Sequence, residues 1–375
     1  MTVRLVRILS AVLAAVVLAA CGSSDDGGGG SAGSKAPSDL VPSALVSRAQ
    51  ADPTQPYPSQ EGDLPTVRLA LSVTGLQFAA YEVASKMNFF GYQGVKIDFQ
   101  QMTSDSQMAQ SIIGNSTDLG IGSANGMVNA VNAGAKFQAI MLEVMQTAQV
   151  CVRKDWAAQR NVTRSSPLKD RIAALKGAAI GITAPKSSSD TIARLLLSQY
   201  GGLDPDRDVR IITVGSPAAD TAGIDANRIQ AFAGSAPICE QSQQGMVLIR
   251  SADVPGFENY INEVVYGNES WVNSHQNEAT RVATALAMGA NFVLKYPDET
   301  LKIEQAAFPK LTPDVVNEAF TQAIAPYFRK NGTFEKANWD GTMDVLKKLD
   351  VKPITTDEGQ YWTNQYINLK YAVVH

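Results

Sequence analysis

The residues able to do chemistry in this chain sit in short loops, each placed directly after a run of β-branched and aliphatic side chains. The first loop, Val73-Thr74-Gly75-Leu76-Gln77-Phe78, offers the hydroxyl of Thr74, the amide of Gln77 and the ring of Phe78. Ser123, Ala124 and Asn125 form a second small, polar group, and Gln146 with Thr147 a third. Lys186, Ser187, Ser188 and Ser189 open a helical stretch, Ser216 follows a further apolar run, and Gly234 with Ser235 follows another. Hydroxyls, amides and free backbone N–H groups hold a solute by hydrogen bonding; by themselves they break no bonds. A helix N-terminus adds unpaired N–H donors and about half a positive charge. The 186–189 run therefore suits an organic anion such as a sulfonate or carboxylate, although simple N-capping accounts for one of its hydroxyls; a neutral or cationic heterocycle would instead use Phe78, Tyr81 and Glu240.

Signatures of catalysis are missing from the sequence. His275 and His375 lie far apart and neither has the spacing of a metal ligand, so no metal site and no cofactor are expected. There is no GxSxG, no phosphate loop of the GxxxxGK[ST] type, and no dinucleotide fingerprint. Cys151 and Cys239 are either a disulfide, if the compartment is oxidising, or two buried thiols.

Periodicity predicts the elements that must position these loops. Strands are expected at 66–72, 95–101, 118–122 and 137–144, with an extended continuation at 147–153; helices are expected at 77–88, 106–113 and about 126–133. A second series places helices at 168–175 and 189–200 and strands at 178–183, 209–214, 229–233 and 246–250. Such alternation predicts an α/β fold of two lobes, each a mostly parallel sheet flanked by helices. In sheets of this kind ligands bind beyond the carboxyl ends of the strands, which is where the polar loops fall. Residues 260–272 read as an extended return, and helices follow at 278–295, 297–307, 313–328 and 340–349. Trp339, Tyr361, Trp362 and Tyr366 read as packing residues.

The N-terminal end predicts where the protein works. Arg4 and Arg7 precede an apolar run at 8–20, which is too short to span a bilayer comfortably and has the length of a signal-peptide core. It closes in Leu18-Ala19-Ala20-Cys21, the pattern of a bacterial lipoprotein signal, so residues 1–20 read as a signal peptide and Cys21 as the lipidated residue. Acyl chains there would anchor the protein to the outer face of the cytoplasmic membrane. Residues 21–64 are rich in Gly, Ser, Asp and Pro and read as a flexible tether, with a short helical turn within 40–49. A net charge of −4 with mixed signs gives no basic face for nucleic acid.

Several blocks also occur in a characteristic order: Phe78-Ala79-Ala80, Asn88-Phe89-Phe90, Gly94-Val95-Lys96-Ile97, Gly114-Asn115-Ser116-Thr117-Asp118-Leu119-Gly120-Ile121-Gly122, Ala133-Gly134-Ala135, Leu175-Lys176-Gly177, Ile180-Gly181-Ile182, Gly201-Gly202-Leu203 and Ile224-Asp225-Ala226. In this order, over about 66–349, the chain resembles the substrate-binding proteins of ABC importers for nitrate, sulfonates, taurine and thiamine-precursor pyrimidines. It departs from them at Ala178, where the family commonly has Lys, and in the 234–240 loop, which lacks the usual Trp. The resemblance implies a two-lobed periplasmic binding fold of type II. Lobe 1 would be 66–148 plus 263–375, lobe 2 would be 149–262, and the crossing segments would lie near 146–150 and 264–270. It further implies a monomer that closes on a small-molecule solute and presents it to a membrane permease. Alternatives are an enzyme on the same fold with Cys151 or Cys239 as nucleophile, and a ligand-sensing lipoprotein without a permease.

Overall fold

The computed structural model of the protein describes residues 40–49, 52 and 54–375; the expected signal peptide, Cys21 and the first part of the tether lie outside the described residues. The strands are β1 (Thr66–Leu71), β2 (Lys96–Gln101), β3 (Leu119–Ser123), β4 (Phe137–Met145), β5 (Gln149–Arg153), β6 (Ala179–Ile182), β7 (Arg210–Thr213), β8 (Ala231–Gly234), β9 (Gly245–Arg250) and β10 (Ile261–Asn268). Helices of the first half are α1 (Ser43–Ala49), α2 (Ala79–Lys86), α3 (Phe89–Gln93), α4 (Asp105–Ile113), α5 (Ala124–Asn132), α6 (Lys154–Gln159) and α7 (Leu168–Ala173). Those of the second half are α8 (Ser188–Leu195), α9 (Pro217–Asp225), α10 (Glu269–Ser274), α11 (Gln276–Lys295), α12 (Pro297–Ala307), α13 (Pro313–Ala323) and α14 (Lys336–Lys347).

Two five-stranded sheets result, in the orders β2-β1-β3-β10-β4 and β7-β6-β8-β5-β9. In the first, β2, β1 and β3 run parallel while β10 is antiparallel to both β3 and β4. In the second, β7, β6 and β8 run parallel while β5 is antiparallel to both β8 and β9. Both sheets are thus mixed, with one reversed strand each, and that strand is the one by which the chain enters from the other sheet. The chain leaves the first sheet through 146–148 into β5, and returns through 251–260 into β10. The second crossing is therefore not at 264–270, as the sequence suggested. Those residues belong to the buried strand β10 and to α10, whose start is capped by Asn268 Oδ1 accepting from Ser270 N. The two crossings are bonded to each other: Gln146 N donates to Tyr260 O at 2.9 Å, and Ser251 Oγ donates to Ala148 O at 2.7 Å.

The first sheet is covered on one face by α2, α3 and α11. Gly289 lets α11 approach α2 closely, because a Cβ there would overlap the carbonyl of Ala80. Its other face carries Trp339 and Trp362, stacked at an interplanar angle of 15° and both buried. Tyr366 is buried in the core and Tyr361 packs against the cluster that holds the two tryptophans, so all four residues pack as expected. Residues 40–64 differ from the expected tether in part: Leu40, Val41, Ala49 and Tyr57 are buried in the core around α2, α3 and α11. Apolar side chains embedded in a polar stretch were enough to dock it. Cys151 and Cys239 form a disulfide within the part of the chain that builds the second sheet.

Candidate functional site

The carboxyl ends of β1, β6 and β8 and the first turns of α4, α8 and α9 converge on one narrow cleft between the two sheets. Ser72, Val73 and Gln77 enter after β1, and Thr183 after β6. Gly234 and Ser235 enter at the end of β8, and Ser188 and Ser189 stand on α8. Pro217 and Asp220 contribute from α9, Asp105 from α4, and Asn262 and Glu263 from the start of β10. Ala148, Ile192, Ala233 and Ile238 supply apolar wall. A pocket with apolar walls and a few convergent polar groups is the general form of a small-molecule site.

Its electrostatics are one-sided. Asp105, Asp220 and Glu263 line it, and among the described residues no Lys, Arg or His does. Asp105 is fully engaged, accepting from Ser123 N at 3.0 Å and from Ser123 Oγ at 2.7 Å. Asp220 is only 1% exposed and its Oδ1 has no hydrogen-bond partner; burial pushes its carboxyl up to about 8. Burial drives the Glu263 carboxyl well above the ordinary carboxylate range, and the charges of Asp105 and Glu143 push it the same way. Glu263 Oε2, Gln77 Oε1 and Ser72 Oγ are likewise buried without partners.

Direct bonds hold the two walls together. Asn262 Nδ2 donates to Thr147 Oγ1 at 2.8 Å, Thr147 and Ser235 share a hydroxyl–hydroxyl bond of 2.8 Å, and Ser188 Oγ donates to Asn262 Oδ1 at 3.4 Å. Across the mouth, Leu76 N donates to Ala236 O at 3.1 Å and Asn129 Nδ2 to Lys186 O at 3.0 Å.

Of the residues singled out in the sequence, Gln77, Ser188, Ser189, Gly234 and Ser235 line the cleft. Thr147 stands behind it, bonded to two wall residues. Gln146 is buried in the first crossing, where its Oε1 accepts from Ala148 N at 2.9 Å. Ser123 and Ser216 cap α5 and α9, Ser187 caps α8, and Ala124 is packed in the core. Asn125 is hydrogen-bonded to the Tyr260 hydroxyl. Phe78 belongs to the core and Thr74 is exposed. Lys186, in a left-handed backbone conformation with φ 64°, is exposed and lines a separate surface groove with Asn129, Asp190 and Arg194.

The sequence reading missed the acids. Glu263 was legible as a charge inside the apolar run INEVVYGN, whereas Asp220 lies on α9, whose PAADTAGID sequence has no apolar stripe to mark a helix. Asp105 looks in sequence like an ordinary acid in a helix first turn.

A family model described as the NMT1-like family matches residues 65–306. The chain belongs to the NMT1-like family. No curated protein matches it. Among solved structures, a protein of Bordetella bronchiseptica RB50 is 21% identical, covers 82% of this chain and 97% of its own, and superposes with a TM-score of 0.68. The ligand-binding component of an ABC-type import system from Staphylococcus aureus, with zinc bound, is 13% identical over 83% of this chain and 100% of its own, TM-score 0.66. The alkanesulfonate-binding protein of Xanthomonas axonopodis pv. citri, bound to MOPS, is 17% identical over 79% and 96%, TM-score 0.62. The fold of this NMT1-like chain is accordingly the two-lobed α/β fold of the periplasmic binding proteins.

Proposed function

We propose that the protein is the extracytoplasmic solute-binding lipoprotein of an ABC importer, capturing a small molecule in the cleft and delivering it to a permease. The observation that carries this reading is the set of buried, unpartnered polar atoms on the cleft walls: Ser72 Oγ, Gln77 Oε1, Asp220 Oδ1 and Glu263 Oε2. Each costs about 1–3 kcal/mol when left unbonded, so the closed cleft is relieved by a polar solute. The crossings at 146–148 and 251–260 form the hinge, lobe 1 carries the first sheet and lobe 2 the second, and closure presents one joined surface to the permease.

Family membership and the importer and sulfonate-binding relatives support the same role. Lipidation of Cys21 would hold the protein at the outer face of the cytoplasmic membrane; among the described residues no helix is long and apolar enough to cross a membrane. The protein works as a monomer, without cofactor or nucleic acid. An organic anion, suggested by the 186–189 run, is not favoured by the cleft: Lys186 faces a different groove and the lining charges are all carboxylates. An enzyme using Cys151 or Cys239 as nucleophile is disfavoured too, since their sulfurs are bonded to each other.

Small-angle scattering with a small-molecule extract of the growth medium tests the capture step. Binding should compact the protein and raise its melting temperature; a ligand at a hundredfold over its Kd adds about 2.7 kcal/mol. Neither change with any fraction would sink the solute-binding reading. For the anchor, Cys21→Ser should move the protein from the membrane fraction to the soluble one.

A further inference from the structure

We infer that the solute is an organic cation bearing N–H donors, an ammonium or amidinium on a small apolar body, gripped between Asp220 of one wall and Glu263 of the other. This rests on the cleft being the solute site. Three features of the cleft carry it.

The first is charge. Asp105, Asp220 and Glu263 lie in one cleft with no basic side chain among its lining residues. A buried carboxylate without a counter-charge is costly, and a ligand cation supplies the missing partner. The first turns of α4 and α9 place Asp105 and Asp220 where a helix N-terminus would otherwise draw an anion into the cleft.

The second is hydrogen-bond polarity. Gln77 Oε1, Asp220 Oδ1 and Glu263 Oε2 are buried, unpartnered and acceptors. Once the two carboxyls are ionised, all three oxygens ask for donors, which an ammonium or amidinium offers and a sulfonate, nitrate or carboxylate does not; the cation itself favours that ionised state.

The third is the absence of an aromatic ring among the lining residues, which are otherwise Val73, Ala148, Ile192, Pro217, Ala233 and Ile238 on the apolar side. Quaternary ammonium ions are held by aromatic faces; here recognition must run through N–H bonds. Nor do the acids form a metal site: no group of three His, Cys, Asp or Glu among the described residues could hold a metal ion.

The chemistry sets the sign of a pH dependence. Binding a cation favours the ionised carboxylates, so affinity should rise with pH through the range where Asp220 gives up its proton, about 8. The groups facing Glu263 are Asp105, Glu143 and Tyr266; burial alone accounts for the rise at Asp220.

The test is titration calorimetry on the whole protein at pH 6 and pH 8.5. The probes are 1,4-diaminobutane, methylguanidinium, tetramethylammonium, methanesulfonate, nitrate and acetate. The inference expects binding of the diamine or of methylguanidinium, at least fivefold tighter at pH 8.5. It also expects a loss of at least tenfold in Asp220→Asn and in Glu263→Gln, and no binding of tetramethylammonium. The two variants remove charge without volume, and melting curves confirm that each is folded. Binding of an anion in the cleft, or cation binding that both variants leave intact, overturns the inference while leaving the solute-binding role standing. Silence from all cations also overturns it, and the importer reading is then judged by the closure measurement alone.

Discussion

Asp220 of α9 lies directly over Gly181 of β6, so closely that a Cβ at Gly181 would overlap its Oδ1. The strand thus yields a side chain so that an acid from the neighbouring helix can be buried at the cleft. Gly181→Ala should displace Asp220, destabilise the protein by about 1–3 kcal/mol through overpacking, and weaken solute binding. Denaturant unfolding and calorimetry read the two effects separately. Unchanged binding in a destabilised variant would mean that the position of Asp220 is immaterial to the ligand.

Buried carboxyls make the ligand-free protein less stable as pH rises. Asp220 and Glu143 are both pushed up to about 8 by burial, which at Glu143 outweighs the opposing pull of the Tyr81 and Ala80 backbone. Below the ordinary carboxylate range, folded and unfolded chains are both protonated and the full stability is present. Between that range and about 8 the unfolded chain releases its protons first, so stability is lost as pH rises through the folded values. The melting temperature should fall from pH 5 to pH 8, and Glu143→Gln should flatten the slope. A melting temperature that climbs over this interval would contradict the assignment.

Asn262 joins the walls through Thr147, Ser188 and Ser235. Asn262→Ala should remove about 1–2 kcal/mol of this buried bonding, lower solute affinity roughly tenfold, and shift the ligand-free protein toward a more open shape. The radius of gyration from scattering, with and without solute, checks this. An unaltered radius and affinity would show that these bonds do not couple closure to binding.

The bond between Cys151 of β5 and Cys239 closes a stretch 88 residues apart in sequence. Replacing both by Ala should cost about 2–5 kcal/mol without changing which solute binds, since neither lines the cleft. Reducing agent should lower the melting temperature of the native protein and leave that of the double variant unchanged.

Much of the architecture was legible from local pattern. The alternating runs mark β1 to β9 to within a residue or two, because a strand's apolar character is written in consecutive side chains. The polar loops after those strands were also visible, and Gln77, Ser188, Ser189, Gly234 and Ser235 do line the cleft. Helix α9 was not legible. It is built from small residues on a Ser216 cap with Pro217 in its first turn, and so carries no stripe for periodicity to find.

The sequence by itself determined an α/β chain with two series of strands and polar loops at their ends, since periodicity and turn chemistry are local. Only the tertiary structure decided the sign of the cleft. Asp105, Asp220 and Glu263 come from three separate elements, and no spacing in the chain announces that they share one cavity. Lys186, next to the serines in sequence, has a left-handed backbone conformation and lines a different groove. Charge complementarity depends on distances through space, which sequence order does not encode.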